Sequence, residues 1–359
     1  MKTCLVHDWL LTFSGAEKVL EQIYGLYPSQ IYTLFCDPLF SHFRKKEVVT
    51  SFLQKCPKIF SNHTLYSPLF PLAIEQFDLT SYDLIISSSH CVAKGVIVSP
   101  EQTHICYCHS PMRYIWDLYP TYIEDNWGIK KLLIRYFFHK WRLWDVTSSN
   151  RVDHFVANSN FVAKRIEKAY RRKAEVIYPP VDTSSFVYYE NKEDYYVTAS
   201  RLVPYKGIGQ IVTAFSKMKD KKLVVIGDGP EMSHIKNSAG KNVEILGAVG
   251  TEKLIEMLQR AKAFIFNAIE DFGILPVEAQ STGTPIIALN KGGAKETVVE
   301  GKTGLFFQES DPQSIVEAVT RFEKMAFDHQ IVSEHAKTFS KENFQKSFSG
   351  FVKEKMGQA

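Results

Sequence analysis

The sequence predicts an α/β fold of two doubly wound parallel-sheet, Rossmann-like domains. Three observations lead there. Short β-rich runs alternate with helical stretches along the whole chain, and many of those runs are apolar on both faces. A segment rich in proline, serine and charge divides the alternation into two halves. A strand apolar on both faces belongs to a sheet covered by helices on each side. At 359 residues the chain is also long for a single core, which favours two domains.

In the first half the strand-like runs are TCLVHDW (3–9), IYTLFC (31–36), LIISSS (84–89), HICYCH (104–109), HFVANS (154–159) and EVIYPP (175–180). In the second half they are YYVTAS (195–200), KLVVIG (222–227), VEILG (243–247), AFIFNA (263–268), PIIAL (285–289) and GLFF (304–307). Helical stretches such as TEKLIEMLQRA and SIVEAVTRF intervene, and the divider YPPVDTSSFVYYENKED covers the link near 180–194. The expected domains are therefore 1–185 and 186–338. A terminal segment, 339–359, reads as a helix with the first domain as its packing surface. Ligands of such sheets bind beyond the carboxyl ends of the strands, so two domains facing each other would form a cleft lined by strand-end loops.

Bulk properties narrow the function. A formal net charge of +4 is too mild to imply whole-protein nucleic-acid binding. Asp8 and Glu17 interrupt what would be the apolar centre of a signal peptide, and no run approaches the ~18 apolar residues of a membrane span. The six cysteines are scattered in strand-like runs, which fits a reduced cytosolic compartment. His104, Cys106 and Cys108 share one face of a strand, yet no second ligand pair follows at zinc-site spacing. They read as small buried groups, and no metal site is expected.

Several strand-end segments carry chemistry. In FSGAEK, Gly15 allows close backbone approach, and a helix beginning near Ala16 offers N–H groups to an anion. In RLVPYKGIGQ, Arg201 and Lys206 lie on the loop entering a helix, where two cations suit a diphosphate leaving group. Taken singly, each segment is equally readable as an ordinary turn or as solvated charge. VVIGDGPE places Met232 at the third glycine position of a dinucleotide fingerprint, and the DFG at 271–273 has no accompanying kinase loops. The first is a weak dinucleotide signal and the second an accidental match.

NAIEDFGILPVEAQSTGTP (267–285) places Glu270 and Glu278 eight positions apart. On one continuous helix they would stand about 12 Å apart, beyond the roughly 5–9.5 Å of glycosidase carboxylate pairs. Gly273 and Pro276 predict instead a loop followed by a helix starting near Pro276. Glu270 then sits at a strand end and Glu278 in the first helical turn. The N–H groups of Gly273, Ile274 and Leu275 lie between them, which is a grip on a long ligand at separate points.

Together these segments resemble the GT-B glycosyltransferases of family 4, the retaining, nucleotide-sugar-dependent class. The family's E-x7-E is matched by Glu270 and Glu278, its Arg/Lys pair by ASRLVPYKG, and its glycine loop by SGAEK. Its histidine loop is matched by YCHSPMRYIWD around His109. The resemblance spans nearly the whole chain, in family order. The wording of YCHSPMRYIWDLY, NRVDHFVANS and EDFGILPVEAQSTGTP is most similar to the O-antigen and polysaccharide mannosyltransferases that use GDP-mannose.

The resemblance implies a GT-B fold and catalytic roles for His109, Arg201, Lys206 and Glu270. It places Glu278 on the ribose and Glu270 on the donor sugar. Arg201, Lys206 and Gly15 take the diphosphate, and the backbone of Phe272, Gly273, Ile274 and Leu275 holds sugar hydroxyls and phosphate. Ser14, His90, Arg113 and Tyr114 fall on the acceptor side. The implied donor is a substrate, with no cofactor. The chain lacks a D-x-D motif, which suits a metal-independent transferase. One departure is Ser14, where the family often has a second glycine. Another nucleotide-sugar donor, a GT-B-like epimerase and a non-catalytic sugar-nucleotide scaffold are the competing readings.

GIKKLLIRYFFHKWRLWDV (128–146) places Lys131, Arg135, His139 and Arg142 at helical spacing beside aromatic and aliphatic positions. Together with the basic clusters FRKKE and YRRKAE, it reads either as a peripheral contact with anionic membrane or as a domain-closing helix with a solvated stripe. The first reading implies a lipid-linked saccharide acceptor at the cytoplasmic face of the inner membrane.

Overall fold

The apolar runs become strands, and the strands build two separate parallel sheets. The computed structural model describes residues 1–124 and 126–357. In the first sheet, β1 (Thr3–His7), β2 (Gln30–Thr33), β3 (Val48–Thr50), β4 (Leu84–Ser89), β5 (Thr103–Cys108), β6 (His154–Ala157) and β7 (Ala174–Val176) take the order β3-β2-β1-β4-β5-β6-β7. In the second, β8 (Tyr195–Ala199), β9 (Lys222–Ile226), β10 (Val243–Gly247), β11 (Ala263–Phe266), β12 (Ile286–Leu289) and β13 (Gly304–Phe307) take the order β10-β9-β8-β11-β12-β13. All pairings are parallel. Each sheet reverses its winding once, between β1 and β4 and between β8 and β11, and such a reversal opens a crevice at the carboxyl ends of the strands.

Successive strand residues point to opposite faces, so each sheet has a core on both sides. In the first, Cys4, Val6 and Ile85 pack with Ile74, Phe70 and Trp141. On the other face Leu5, Ile86 and Tyr107 pack with Leu20 and Ile23 of helix Gly15–Leu26 and with Phe344 and Phe348 of helix Lys341–Lys355. In the second, Val225, Ile265 and Ile287 meet Ile211, Phe215 and Val319, while Val224, Phe264 and Ile286 meet Leu258 and Ala279.

Three sequence expectations are corrected. The strand β3 is absent from the predicted runs: three residues directly after FRKKE are too short a signal. Eight of the twelve predicted runs also extend one to four residues past the strand end, so that Asp8, His109 and Asn267 belong to loops. The domain limits shift as well. One unit comprises 1–180 with the chain from Phe344 onward, and the other is Val181–Asn343. Residues 181–185 and 339–343 join the second unit because Val181 N–H donates to the Phe339 carbonyl at 2.9 Å and Lys341 Nζ stands 2.9 Å from Asp182 Oδ2. Residues 358–359 of the predicted terminal segment lie outside the described residues.

His104 is a structural group. Its Nε2 lies 2.8 Å from Ser87 Oγ and its Nδ1 lies 3.1 Å from the Arg151 carbonyl. Among the described residues, no three His, Cys, Asp or Glu side chains are grouped to hold a metal. Burial pushes the fully enclosed His104 imidazole down to about 4. The unfolded chain, with an ordinary histidine near 6.5, binds the extra proton between those values. Stability is therefore expected to fall as pH drops from about 6.5 to 4, by about 3 kcal/mol from this group. Urea unfolding across that window should give a steeper pH slope for the wild type than for His104→Leu; equal slopes would assign the proton elsewhere.

Candidate active site

Both switch points gather polar residues, one cluster in each domain. In the first, β1 ends on His7, and Asp8 turns beneath the loop that follows β4. Asp8 is fully buried. Its Oδ2 accepts from the N–H groups of His90 (2.7 Å) and Cys91 (3.0 Å), and its Oδ1 from Val92 (2.5 Å) and Ala93 (2.7 Å). Burial acts to raise its pKa, but the His90 and His7 rings and these N–H dipoles hold it below the usual carboxylate range. The His90 Nδ1 stands 3.1 Å from Asp8 Oδ2.

A second chain of contacts runs from the helix start to His109. The Ser14 N–H and hydroxyl both donate to Glu17 Oε2, at 3.0 and 2.7 Å. This is a reciprocal cap on helix Gly15–Leu26. Glu17 Oε1 lies 3.4 Å from His7 Nε2, and His7 Nδ1 lies 3.2 Å from Ser88 Oγ. Ser88 Oγ in turn sits 2.8 Å from His109 Nε2. Burial acts against ionised Glu17, yet His7 and Ser14 hold it at about 2. Burial, then the His90 and His7 rings, pushes His109 down to about 3, so its imidazole is neutral near pH 7. The result is an oriented neutral imidazole, linked through Ser88 and His7 to Glu17 of helix Gly15–Leu26 and able to give or take a hydrogen bond without adding charge.

In the second domain, β8 leads into a loop carrying Arg201 and the short 3-10 turn Pro204–Lys206. Arg201 is exposed, with Nη2 3.3 Å from the Tyr205 hydroxyl. Lys206 forms an ion pair with Glu270, on the loop after β11. Asn267 Nδ2 donates to the Gly207 carbonyl at 3.0 Å, tying these two loops together. Helix Ile274–Ser281 then opens on Gly273, whose φ of 91° suits a residue without Cβ and which supplies no side-chain cap. The first N–H groups of a helix have no intrahelical acceptor, so this end is open to an anion.

The helix starts two residues before the predicted Pro276, because Gly273 makes the turn and proline is tolerated within a first helical turn. Glu278 is consequently in the second turn, and it is buried. Phe272 is buried too, its ring 5.5 Å from Phe339, so only its backbone is available to a ligand. Ile274 and Leu275 are half-buried.

The acceptor-side residues separate. His90 joins the cluster around His109, whereas Ser14 commits its hydroxyl to Glu17. Arg113 pairs with Asp117 at 3.2 Å. Tyr114 points inward, its hydroxyl 2.8 Å from Cys91 Sγ and its ring against Trp141. Sequence reading missed His7, Asp8, Glu17, Ser88 and Asn267, whose partners lie up to 85 positions away. It also missed Gly292, with φ 70°, where a Cβ would lie 2.6 Å from the Glu270 carbonyl. Gly293 N–H donates to that same carbonyl at 2.8 Å. The Gly-Gly pair after a strand was the available signal.

Residues 182–343 match the model of glycosyl transferases group 1, and residues 60–185 match that of glycosyltransferase family 4. A GDP-mannose-dependent alpha-(1-6)-phosphatidylinositol monomannoside mannosyltransferase of Mycobacterium tuberculosis is 30% identical over 192 residues, 45% of this chain and 50% of the relative. The alpha-1,3/1,6-mannosyltransferase alg-2 of Neurospora crassa is 26% identical over 270 residues, 60% of this chain and 55% of the relative. The chain spans about half the length of the curated relatives it matches. Among solved structures, Anabaena HepE in complex with UDP and glucose aligns with a TM-score of 0.70 at 18% identity, covering 98% of this chain and 99% of that one. With two family matches running through 60–343 and two Rossmann-like sheets in GT-B company, the chain belongs to the GT-B glycosyltransferases built from a family 4 domain and a group 1 domain.

Proposed function

We propose that this chain is a retaining glycosyltransferase that moves mannose from GDP-mannose to a saccharide acceptor carried on a lipid, in the building of a cell-surface polysaccharide or lipopolysaccharide. The observation that carries the reading is the Lys206–Glu270 pair beside the uncapped start of helix Ile274–Ser281, with Arg201 on the same strand-end loop. A diphosphate needs cations and N–H groups, and a sugar needs an adjacent carboxylate. Support for mannose and guanine comes from relatives whose names carry GDP-mannose.

In this reading Arg201 and Lys206 take up the charge that develops on the diphosphate as the C1–oxygen bond breaks. The acceptor hydroxyl attacks C1 from the same face, and its proton passes to the departing β-phosphate oxygen, leaving GDP and a product of retained configuration. The protein supplies neither a nucleophile nor a metal. Glu270 holds the sugar hydroxyls, Glu278 the ribose, and the neutral His109 orients hydroxyl groups.

Thermal shift tests the donor. GDP and GDP-mannose should raise the melting temperature, while UDP-glucose and UDP-N-acetylglucosamine should not. A response to UDP-sugars alone would overturn the donor assignment. Glu278→Ala should weaken GDP binding roughly 10- to 100-fold, the value of a hydrogen bond to a charged group, as read by titration calorimetry. Unchanged affinity would remove Glu278 from the ribose.

A further inference from the structure

Helix Gly128–Ser149 is rooted at one end and bare at the other. At its root, Trp141 is buried against Phe70, and the buried Asp145 takes Lys94, the Trp116 Nε1–H (2.8 Å) and the Tyr170 hydroxyl (2.9 Å). Arg142 Nη1 donates to the Ile115 carbonyl at 3.1 Å. These contacts fasten the helix to the loop that follows His109.

The turns before this root are largely bare, although Phe138 packs back on Tyr114 and Tyr119. Trp127, Ile129 and Leu132 are 88%, 79% and 66% exposed, and Leu133, Tyr136 and Phe137 are exposed as well. Large apolar groups set side by side on an isolated stretch of helix are costly in water and mark a contact surface. Their neighbours specify the contact. From Asn126 to Trp144 the chain carries Lys130, Lys131, Arg135, Lys140 and Arg142 and not one acid. No helix among the described residues is long and apolar enough to cross a membrane, so a bilayer would hold this one along its surface.

We propose that the exposed half of helix Gly128–Ser149 docks on an anionic phospholipid surface, with its apolar side chains in the headgroup boundary and its cations against lipid phosphates. Because the same helix is rooted in the loop after His109, docking brings that loop close to the lipid, where a lipid-carried acceptor would be met. This last link rests on the proposed transfer reaction; the docking surface does not depend on it.

The test is co-sedimentation of the full chain with vesicles of equal parts phosphatidylglycerol and phosphatidylcholine, against phosphatidylcholine alone, at low salt. The protein should partition onto the anionic vesicles and be released by added salt. The variant Lys130→Gln, Lys131→Gln, Arg135→Gln should bind about 100-fold less, from about fivefold per cation. Leu132→Ser with Tyr136→Ser should bind at least about tenfold less, since both side chains are exposed and contribute little to the fold. Lys236→Gln with Lys241→Gln, on the second domain, should bind as wild type. Thermal shift by GDP should be the same in every variant, so a failed donor assignment and a failed docking surface read out separately. No partition at low salt, equal partition of all variants, or light scattering showing that this helix pairs two copies of the chain instead would each overturn the proposal.

Discussion

The second domain's site depends on the ion pair between Lys206 and Glu270. The two residues come from different loops, one after β8 and one after β11, and the pair fixes the spacing of those loops at the switch point. Everything else there braces it. Asn267 ties the turn at Gly207, and Gly293 holds the Glu270 carbonyl through a close approach that a side chain at Gly292 would block. With side chains only 17% and 28% exposed, the pair gives back much of its attraction as desolvation cost and contributes little net stability. Its value lies in holding a cation and a carboxylate in register beside a helix N-terminus before any ligand arrives.

The first domain solves a comparable problem with buried groups. Asp8 organises a turn by receiving four N–H groups, and the contacts from Ser14 through Glu17, His7 and Ser88 set the orientation of His109. His7, Asp8, Glu17 and Ser88 are buried, where polar groups are costly unless satisfied, and each has partners. The neutral state of His109 follows from burial and the neighbouring rings, and it lets the imidazole give or take a hydrogen bond without adding charge.

Much of this was legible in the sequence because it is local. Runs such as LIISSS and AFIFNA are apolar on both faces, which signals a strand in a covered parallel sheet, and the loops after them held the motif residues Arg201, Lys206, Glu270 and His109. What was not legible depends on distant contacts. Asp8 read only as an acid near the N-terminus, since its N–H donors lie 82 to 85 positions away. Tyr114 sits in a motif yet faces Cys91, a choice made by the packing of Trp141. The start of helix Ile274–Ser281 was placed at Pro276 because proline is a strong punctuator, whereas the turn is made by Gly273. The root of helix Gly128–Ser149 was invisible because Asp145 is one acid among many until its burial is known.

In the proposed reaction Glu270 acts on the sugar while Lys206 acts on the diphosphate, although the two are paired before the donor binds. This division of roles is tested most directly by Glu270→Gln, measured for both GDP affinity and turnover. GDP binding should stay within about threefold of wild type, because Lys206 is released to the phosphates, while kcat should fall by about 100-fold or more. A loss of GDP affinity as large as the loss of turnover would contradict it.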